Sequence, residues 1–163
     1  MRRGKETAIF LDTTYVLPYF GVKLDFVGGE ELDNALSVYD EIHISEASIL
    51  EAKAKLLRLA IKDQSFQETI LGFGEKLDVL AGDQRVIFHG YRGSDDHYFN
   101  LISALRPRLN FFDQVILSQS ISIGNLLTED GIILSLCKNH EFRVSKEFHG
   151  FNILRLKDVL KTD

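Results

Sequence analysis

The chain is 163 residues long, 45% hydrophobic and 26% charged, which excludes disorder and suggests one domain with a full core. No apolar run approaches the roughly 18 residues of a membrane span. The single cysteine, Cys137, excludes an internal disulfide framework and a multi-cysteine metal site; together these favour the cytoplasm. A formal net charge of −5 argues against coating nucleic acid by bulk electrostatics, but leaves room for a local basic patch or a bound cation.

Met1-Arg2-Arg3-Gly4-Lys5-Glu6 is basic but leads into an apolar stretch cut short by Asp12, without a small-residue cleavage site. A flexible basic start over 1–6 and then a buried strand are expected, not a signal peptide. That strand is 8–12: Ala8-Ile9-Phe10-Leu11 are apolar in succession, which fits burial on both faces of a parallel sheet. Thr13 to Phe20 form a short helix, kinked or ended by Pro18 and stopped by Gly21. Gly28-Gly29 turns into a helix from Glu30 to Tyr39, apolar at Leu32, Ala35, Leu36 and Tyr39.

Ile42 to Ser45 is the second strand. Glu46 to Lys62 is the clearest helix, capped by Ser45, with a buried stripe expected at Ile49, Leu50, Leu56, Leu57, Ala60 and Ile61. Asp63-Gln64-Ser65 interrupts it. Phe66 to Leu80 resumes the helical period, weakened by Gly72 and Gly74, before a turn over 81–83. Arg85 to His89 is the third strand. Ser94-Asp95-Asp96 starts a helix that runs to about Arg106, where Pro107 stops it. Asn110 begins another, from Phe111 to Ile123, ended by Gly124. Asn125 to Thr128 is a short strand, and Glu129-Asp130-Gly131 turns into a helix from Ile132 to Lys138. Two β-like runs follow, Phe142 to Ser145 and Phe151 to Leu156, one of them the last strand; Lys157 to Asp163 adds a final helical turn. Strands alternate with helices throughout, the α/β pattern of a parallel sheet covered on both faces.

Four acids stand at informative places. Asp12 follows a buried strand, and an N-cap would explain it. Glu51 lies four residues before Lys55 on the long helix, and a surface pair would explain it. Asp113 sits in a first helical turn, where it suits the helix dipole. Asp130 closes a strand and opens a helix. Each has a structural excuse, but a doubly wound sheet brings all four positions to one edge, where ligands bind. Clustered carboxylates repel one another unless protons or cations intervene. Hard divalent ions such as Mg²⁺ or Mn²⁺ are the natural resolution, and these serve phosphoryl chemistry.

With these residues in view the chain resembles a PIN domain, the nuclease-like fold of many VapC-type toxins. The matching segments are Phe10-Leu11-Asp12-Thr13-Thr14, Ile44-Ser45-Glu46-Ala47-Ser48-Ile49-Leu50-Glu51, Phe112-Asp113-Gln114-Val115-Ile116-Leu117-Ser118 and Leu126-Leu127-Thr128-Glu129-Asp130. They occur in the family's order and span nearly the whole chain. The resemblance implies a three-layer α/β/α fold with a central parallel sheet of about five strands, in the order 3-2-1-4-5. It also implies a metal-dependent ribonuclease site of Asp12, Glu51, Asp113 and Asp130, which would bind one or two Mg²⁺ or Mn²⁺ ions. Thr13, or else Thr14, matches the small polar residue after the first acid, and Thr128 the hydroxyl of the fourth motif. RNA, single-stranded, is the implied substrate, cut to leave a 5′-phosphate and a 3′-hydroxyl. An antitoxin protein and a second copy of the chain are the implied partners.

The chain departs from compact toxins by extra length between 64 and 110, by Glu129 beside the fourth acid, and by Ser118 and Ser120 where alanine is common. A solitary RNA-processing PIN protein, or a non-catalytic PIN module that binds RNA or a protein, stands beside the toxin reading. Candidate RNA contacts are Lys53, Lys55 and Arg58 on the long helix and Arg92, Arg106 and Arg108 further on. Tyr15, Tyr19 and Tyr91 are candidates for base stacking, though core packing suits them better. Ser94-Asp95-Asp96-His97 reads as a capped helix start, His43 and His89 as structural, and Cys137 as a buried inert thiol. A haloacid-dehalogenase-like phosphatase would want an acid at Thr14, and a receiver domain an acid after the third strand, where Phe88-His89-Gly90 has none.

Overall fold

The computed structural model describes residues 8–105 and 108–161. The basic start, the expected helix stop at Arg106-Pro107 and the candidate contact Arg106 lie outside the described residues. Five strands form one sheet: β1 (Ala8–Leu11), β2 (Glu41–Ser45), β3 (Val86–His89), β4 (Asn125–Leu127) and β5 (Asn152–Leu154). All pair in parallel, in the order β3-β2-β1-β4-β5. This is the order the resemblance implies.

The helices are α1 (Thr13–Val16), α2 (Gly29–Leu36), α3 (Glu46–Lys62), α4 (Gln67–Leu71), α5 (Phe73–Gly82), α6 (Gly93–Leu105), α7 (Phe111–Ile121), α8 (Gly131–Ser135), α9 (His140–Val144) and α10 (Leu156–Leu160). Alternation along β1 sets the two layers. Ile9 and Leu11 face a core built with Tyr15, Leu36, Leu56, Phe73 and Leu156, from the side of α1, α2, α3, α5 and α10. Phe10 faces a second core with Ile102, Ile116, Leu117, Ile133 and Phe142, from α6, α7, α8 and α9. Ile9, Phe10 and Leu11 are wholly buried, and each such side chain contributes about 1.5–3 kcal/mol by leaving water. None of the helices among the described residues is long and apolar enough to cross a membrane.

Several expectations need correction. The stripe on α3 is half right: Ile49 and Leu56 are buried with Ala52, but Leu50, Leu57 and Ile61 are 67%, 53% and 78% exposed. That helix is apolar on two faces, and only one of them meets the sheet. The long helix expected from Phe66 to Leu80 is broken at Gly72 into α4 and α5, and α5 extends through Gly82 into the expected turn. Of the two β-like runs, Phe151 to Leu156 holds the last strand, β5, and Phe142 to Ser145 does not form one. Asn139 accepts from the Phe142 amide and caps α9 there, and the aromatic ring packs into the core rather than joining the sheet. Cys137 is exposed, because the 3-10 turn over Leu136–Lys138 points Leu136 inward and its neighbour out.

Candidate active site

β1 lies between β2, its partner on one side, and β4, its partner on the other. The crossovers on either side of β1 lead to opposite faces of the sheet, and the crevice beyond its carboxyl end is a topological switch point. Asp12 sits there. Its amide donates to the Leu127 carbonyl of β4 at 3.1 Å. One carboxylate oxygen accepts from the Thr13 amide at 2.7 Å and so caps α1; the other accepts from the Thr128 hydroxyl at 2.9 Å. Thr128 in turn accepts from the Asp130 amide at 3.0 Å. Asp12 therefore caps α1 with one carboxylate oxygen and is tied to the end of β4 by the other.

Glu51 arrives from the crossover between β2 and β3, in the same layer as α1, on the second turn of α3. Its Oε2 accepts from the Thr13 hydroxyl at 2.5 Å, and Lys55 Nζ stands 3.1 Å from its Oε1. Thr13 rather than Thr14 is thus the small polar residue tied to the acids. Asp113 enters from the other layer, in the first turn of α7. Its amide donates to Asn110, which caps the helix, and the Asn110 amide group donates back to its carboxylate. Asp130 caps α8, its Oδ1 accepting from the Ile132 and Ile133 amides, each at 2.8 Å.

The four carboxylates feel one another. Burial pushes Asp12 up to about 6, against the hydrogen bonds from Thr128 and Thr13, and the charge of Glu51 adds to the rise. Asp113 is pushed up to about 7, first by burial and then by the charges of Asp12, Asp130 and Glu51. Lys55 pulls both acids the other way. Two sparsely solvated acids that resist ionisation near neutral pH, beside further carboxylates, make a place where a cation is electrostatically welcome. Every donor is a hard carboxylate oxygen, the chemistry that suits Mg²⁺ or Mn²⁺. As the side chains stand, no group of three or more His, Cys, Asp or Glu residues among the described residues is posed to hold an ion together. Much of their oxygen is already engaged by Thr13, Thr128, Asn110 and the α8 amides.

Glu129 does not join this group. Its Oε1 accepts from the Tyr15 hydroxyl at 2.7 Å and from the Leu156 amide at 3.2 Å, which ties α1 to the start of α10. Tyr15 is accordingly wholly buried and unavailable for stacking, and Tyr19 is half-buried. Of the basic candidates, Lys55 reaches the acids. Lys53 lies over the Phe73 ring at 4.9 Å, and Arg58 donates to the Ala54 carbonyl within its own helix. Arg92 and Arg108 are exposed. His43 and His89 are structural, as expected: the rings hydrogen-bond at 2.6 Å between β2 and β3, and burial lowers the His89 pKa. Sequence reasoning missed Asn110 as the residue that pins Asp113; its place three residues ahead of the acid, at a helix start, was the available signal.

No protein-family model matches the chain, and no curated protein matches it in sequence. Solved structures do. A chain of the VapBC2 complex from Rickettsia felis, crystallised bound to a DNA fragment from its promoter, aligns over 91% of this chain and 98% of its own length. The TM-score is 0.60 at 14% identity. The fold is PIN/VapC-like.

Proposed function

We propose that this chain is a metal-dependent ribonuclease of the PIN type, acting as the toxin of a toxin–antitoxin pair. The observation that carries the reading is the pair of buried acids, Asp12 and Asp113, held next to Glu51 and Asp130 at the switch point with pKa values of about 6 and 7. Asp12, Asp113 and Asp130, with Glu51, are the residues that would hold Mg²⁺ or Mn²⁺. Such an ion supplies a nucleophilic hydroxide near neutral pH and stabilises the leaving oxygen. The chain's own part is positional. Thr128 and the Thr13 amide hold the Asp12 carboxylate in one orientation. Asn110 does the same for Asp113, and Thr13 for Glu51. Lys55 offsets the charge of the cluster from its exposed side, where it can meet an incoming phosphate.

The VapBC2 likeness supports a protein antitoxin as a partner, since that structure is a complex. The test is cleavage of single-stranded RNA in Mn²⁺ or Mg²⁺ by the wild type and by Asp12→Asn. Equal rates in the two would end the proposal. A second reading, a PIN module that binds without cleaving, is favoured by the engaged state of the carboxylate oxygens. It predicts no thermal stabilisation by Mn²⁺, whereas a nuclease site predicts stabilisation that disappears in Asp130→Asn.

A further inference from the structure

Four aromatic residues form a continuous row from the segment after β3, over the middle of α6, to the start of α7. Tyr91 meets Phe99 edge-on with ring centroids 6.2 Å apart, Phe99 meets Phe111 at 5.9 Å, and Phe111 meets Phe112 at 5.9 Å. The row is not core. Phe111 is 66% exposed and Tyr91 48%, while Phe99 and Phe112 are half-buried beneath them. Phe111 and Phe112 are the two residues immediately before Asp113 on α7, and Tyr91 follows the carboxyl end of β3. One end of the row is thus next to Asp113 in sequence, at the start of α7, and the other follows the carboxyl end of β3. Exposed Arg92 and Arg108 flank it in sequence, and the Tyr91 hydroxyl is held by Asp96 at 3.1 Å.

Leaving a large aromatic ring in water at a helix start forgoes about 1.5–3 kcal/mol of burial. A ligand with flat apolar faces would recover it. Unpaired nucleobases have such faces, and stacking on aromatic side chains is how single-stranded nucleic acid is held without sequence readout. With a net charge of −5 the chain repels phosphate in bulk, so affinity for RNA has to come from contacts other than general attraction. We propose that Tyr91, Phe99, Phe111 and Phe112 form a base-stacking platform that seats unpaired RNA bases beside the scissile position at Asp113. The identity of the ligand as RNA rests on the nuclease reading; the existence of a stacking surface does not.

The test is fluorescence anisotropy with labelled single-stranded RNA of about six nucleotides, read without divalent metal so that binding is separated from cleavage. Phe111→Ala and Tyr91→Ala are each expected to weaken binding about tenfold, the loss typical of one stacked base. Phe111→Trp should keep wild-type affinity. An abasic oligonucleotide of the same length should bind the wild type more weakly than intact RNA binds Phe111→Ala, because it loses every stack rather than one. Because these side chains are exposed, thermal melts should be unchanged, which separates lost stacking from lost folding. Failure of the wild type to bind the oligonucleotide, or equal binding of intact and abasic strands, overturns the platform. So does unchanged affinity in Phe111→Ala, including the case in which that variant loses self-association in sedimentation instead, which would make the row a contact between copies. If Asp12→Asn cleaves like the wild type while Phe111→Ala still loses affinity, the nuclease reading fails and the platform survives.

Discussion

Asp12 and Asp113 stand in a different electrostatic condition from Glu51 and Asp130, although all four meet at one edge of the sheet. The inner pair is buried, and its hydrogen bonds from Thr13, Thr128 and Asn110 do not offset the loss of water and the neighbouring charges. The outer pair is provided for: Lys55 and Thr13 attend Glu51, and the α8 amides attend Asp130. A cap or a surface pair explains the outer acids without remainder. Nothing in the fold alone explains why two carboxylates should be kept where ionising them is unfavourable, and that remainder is the physical argument for a cation.

The largest expected effect breaks the comparison outright. Asp12→Asn and Asp113→Asn should each lower RNA cleavage by at least about 10²-fold, the scale on which positioned catalytic groups act. Steady-state cleavage of a fluorogenic oligonucleotide would measure it, and a loss confined to Glu51 and Asp130 variants would reverse the roles assigned here.

The next effect is on stability and has a definite sign. Both inner acids have folded-state pKa values above their ordinary 3.8, so the folded chain holds these protons more tightly than the unfolded one. Their contribution is fully present below about pH 4 and is lost as pH rises through about 6 and 7. Metal-free protein should therefore melt at a lower temperature at pH 8 than at pH 5, as far as these two groups decide it. Mn²⁺ should raise the melting temperature at pH 8 and do little at pH 5, where protons occupy the same oxygens. Calorimetry with and without chelator would show it.

Two smaller effects sharpen the contrast. Asp12→Asn keeps the oxygen that caps α1 while removing the buried charge, so metal-free protein should gain on the order of 1–3 kcal/mol at pH 8. Asp130→Ala should do the opposite, losing about 1 kcal/mol with the cap of α8. Denaturant melts of the two variants, compared at equal pH, should move in opposite directions.

The parallel sheet was legible because the strands are short apolar runs ended by turn chemistry and alternate with helices; its order was implied by the resemblance to PIN domains, not by the pattern. Asp12, Asp113 and Asp130 were legible as positions at strand and helix ends, and Glu51 as the acid on the second turn of the helix after β2. What they touch was not: Thr13 meets Glu51 across 38 residues of chain and Thr128 meets Asp12 across 116, distances over which local pattern carries no information. The α3 stripe failed for a different reason. Ile49, Ala52 and Leu56 lie on one face and Leu50, Leu57 and Ile61 on another, and periodicity cannot say which face meets the sheet. Which of the two late β-like runs is the last strand was not legible: Phe142 to Ser145 has aromatic and β-branched residues that suit a strand, while Asn139, outside the run, caps a helix there. Glu129, next to the fourth acid in sequence, is instead taken up by Tyr15, 114 residues away, which local pattern could not show.

The position of β1 has a consequence for the order in which the molecule can be assembled. β1 is made first, yet its ladder to β4 pairs Phe10 with Leu126 and Leu11 with Leu127, across more than a hundred residues. A chain emerging at about 5–20 residues per second spends seconds with that side of β1 open. Asp12 has no Thr128 to orient it and no Asp130 beside it during that interval, and pairings this remote in sequence are late and slow events of folding. The acid cluster can thus form only after the chain through Asp130 has been made. A stalled or prematurely ended chain carries β1, β2 and α3, with Glu51 in place, but cannot assemble the site.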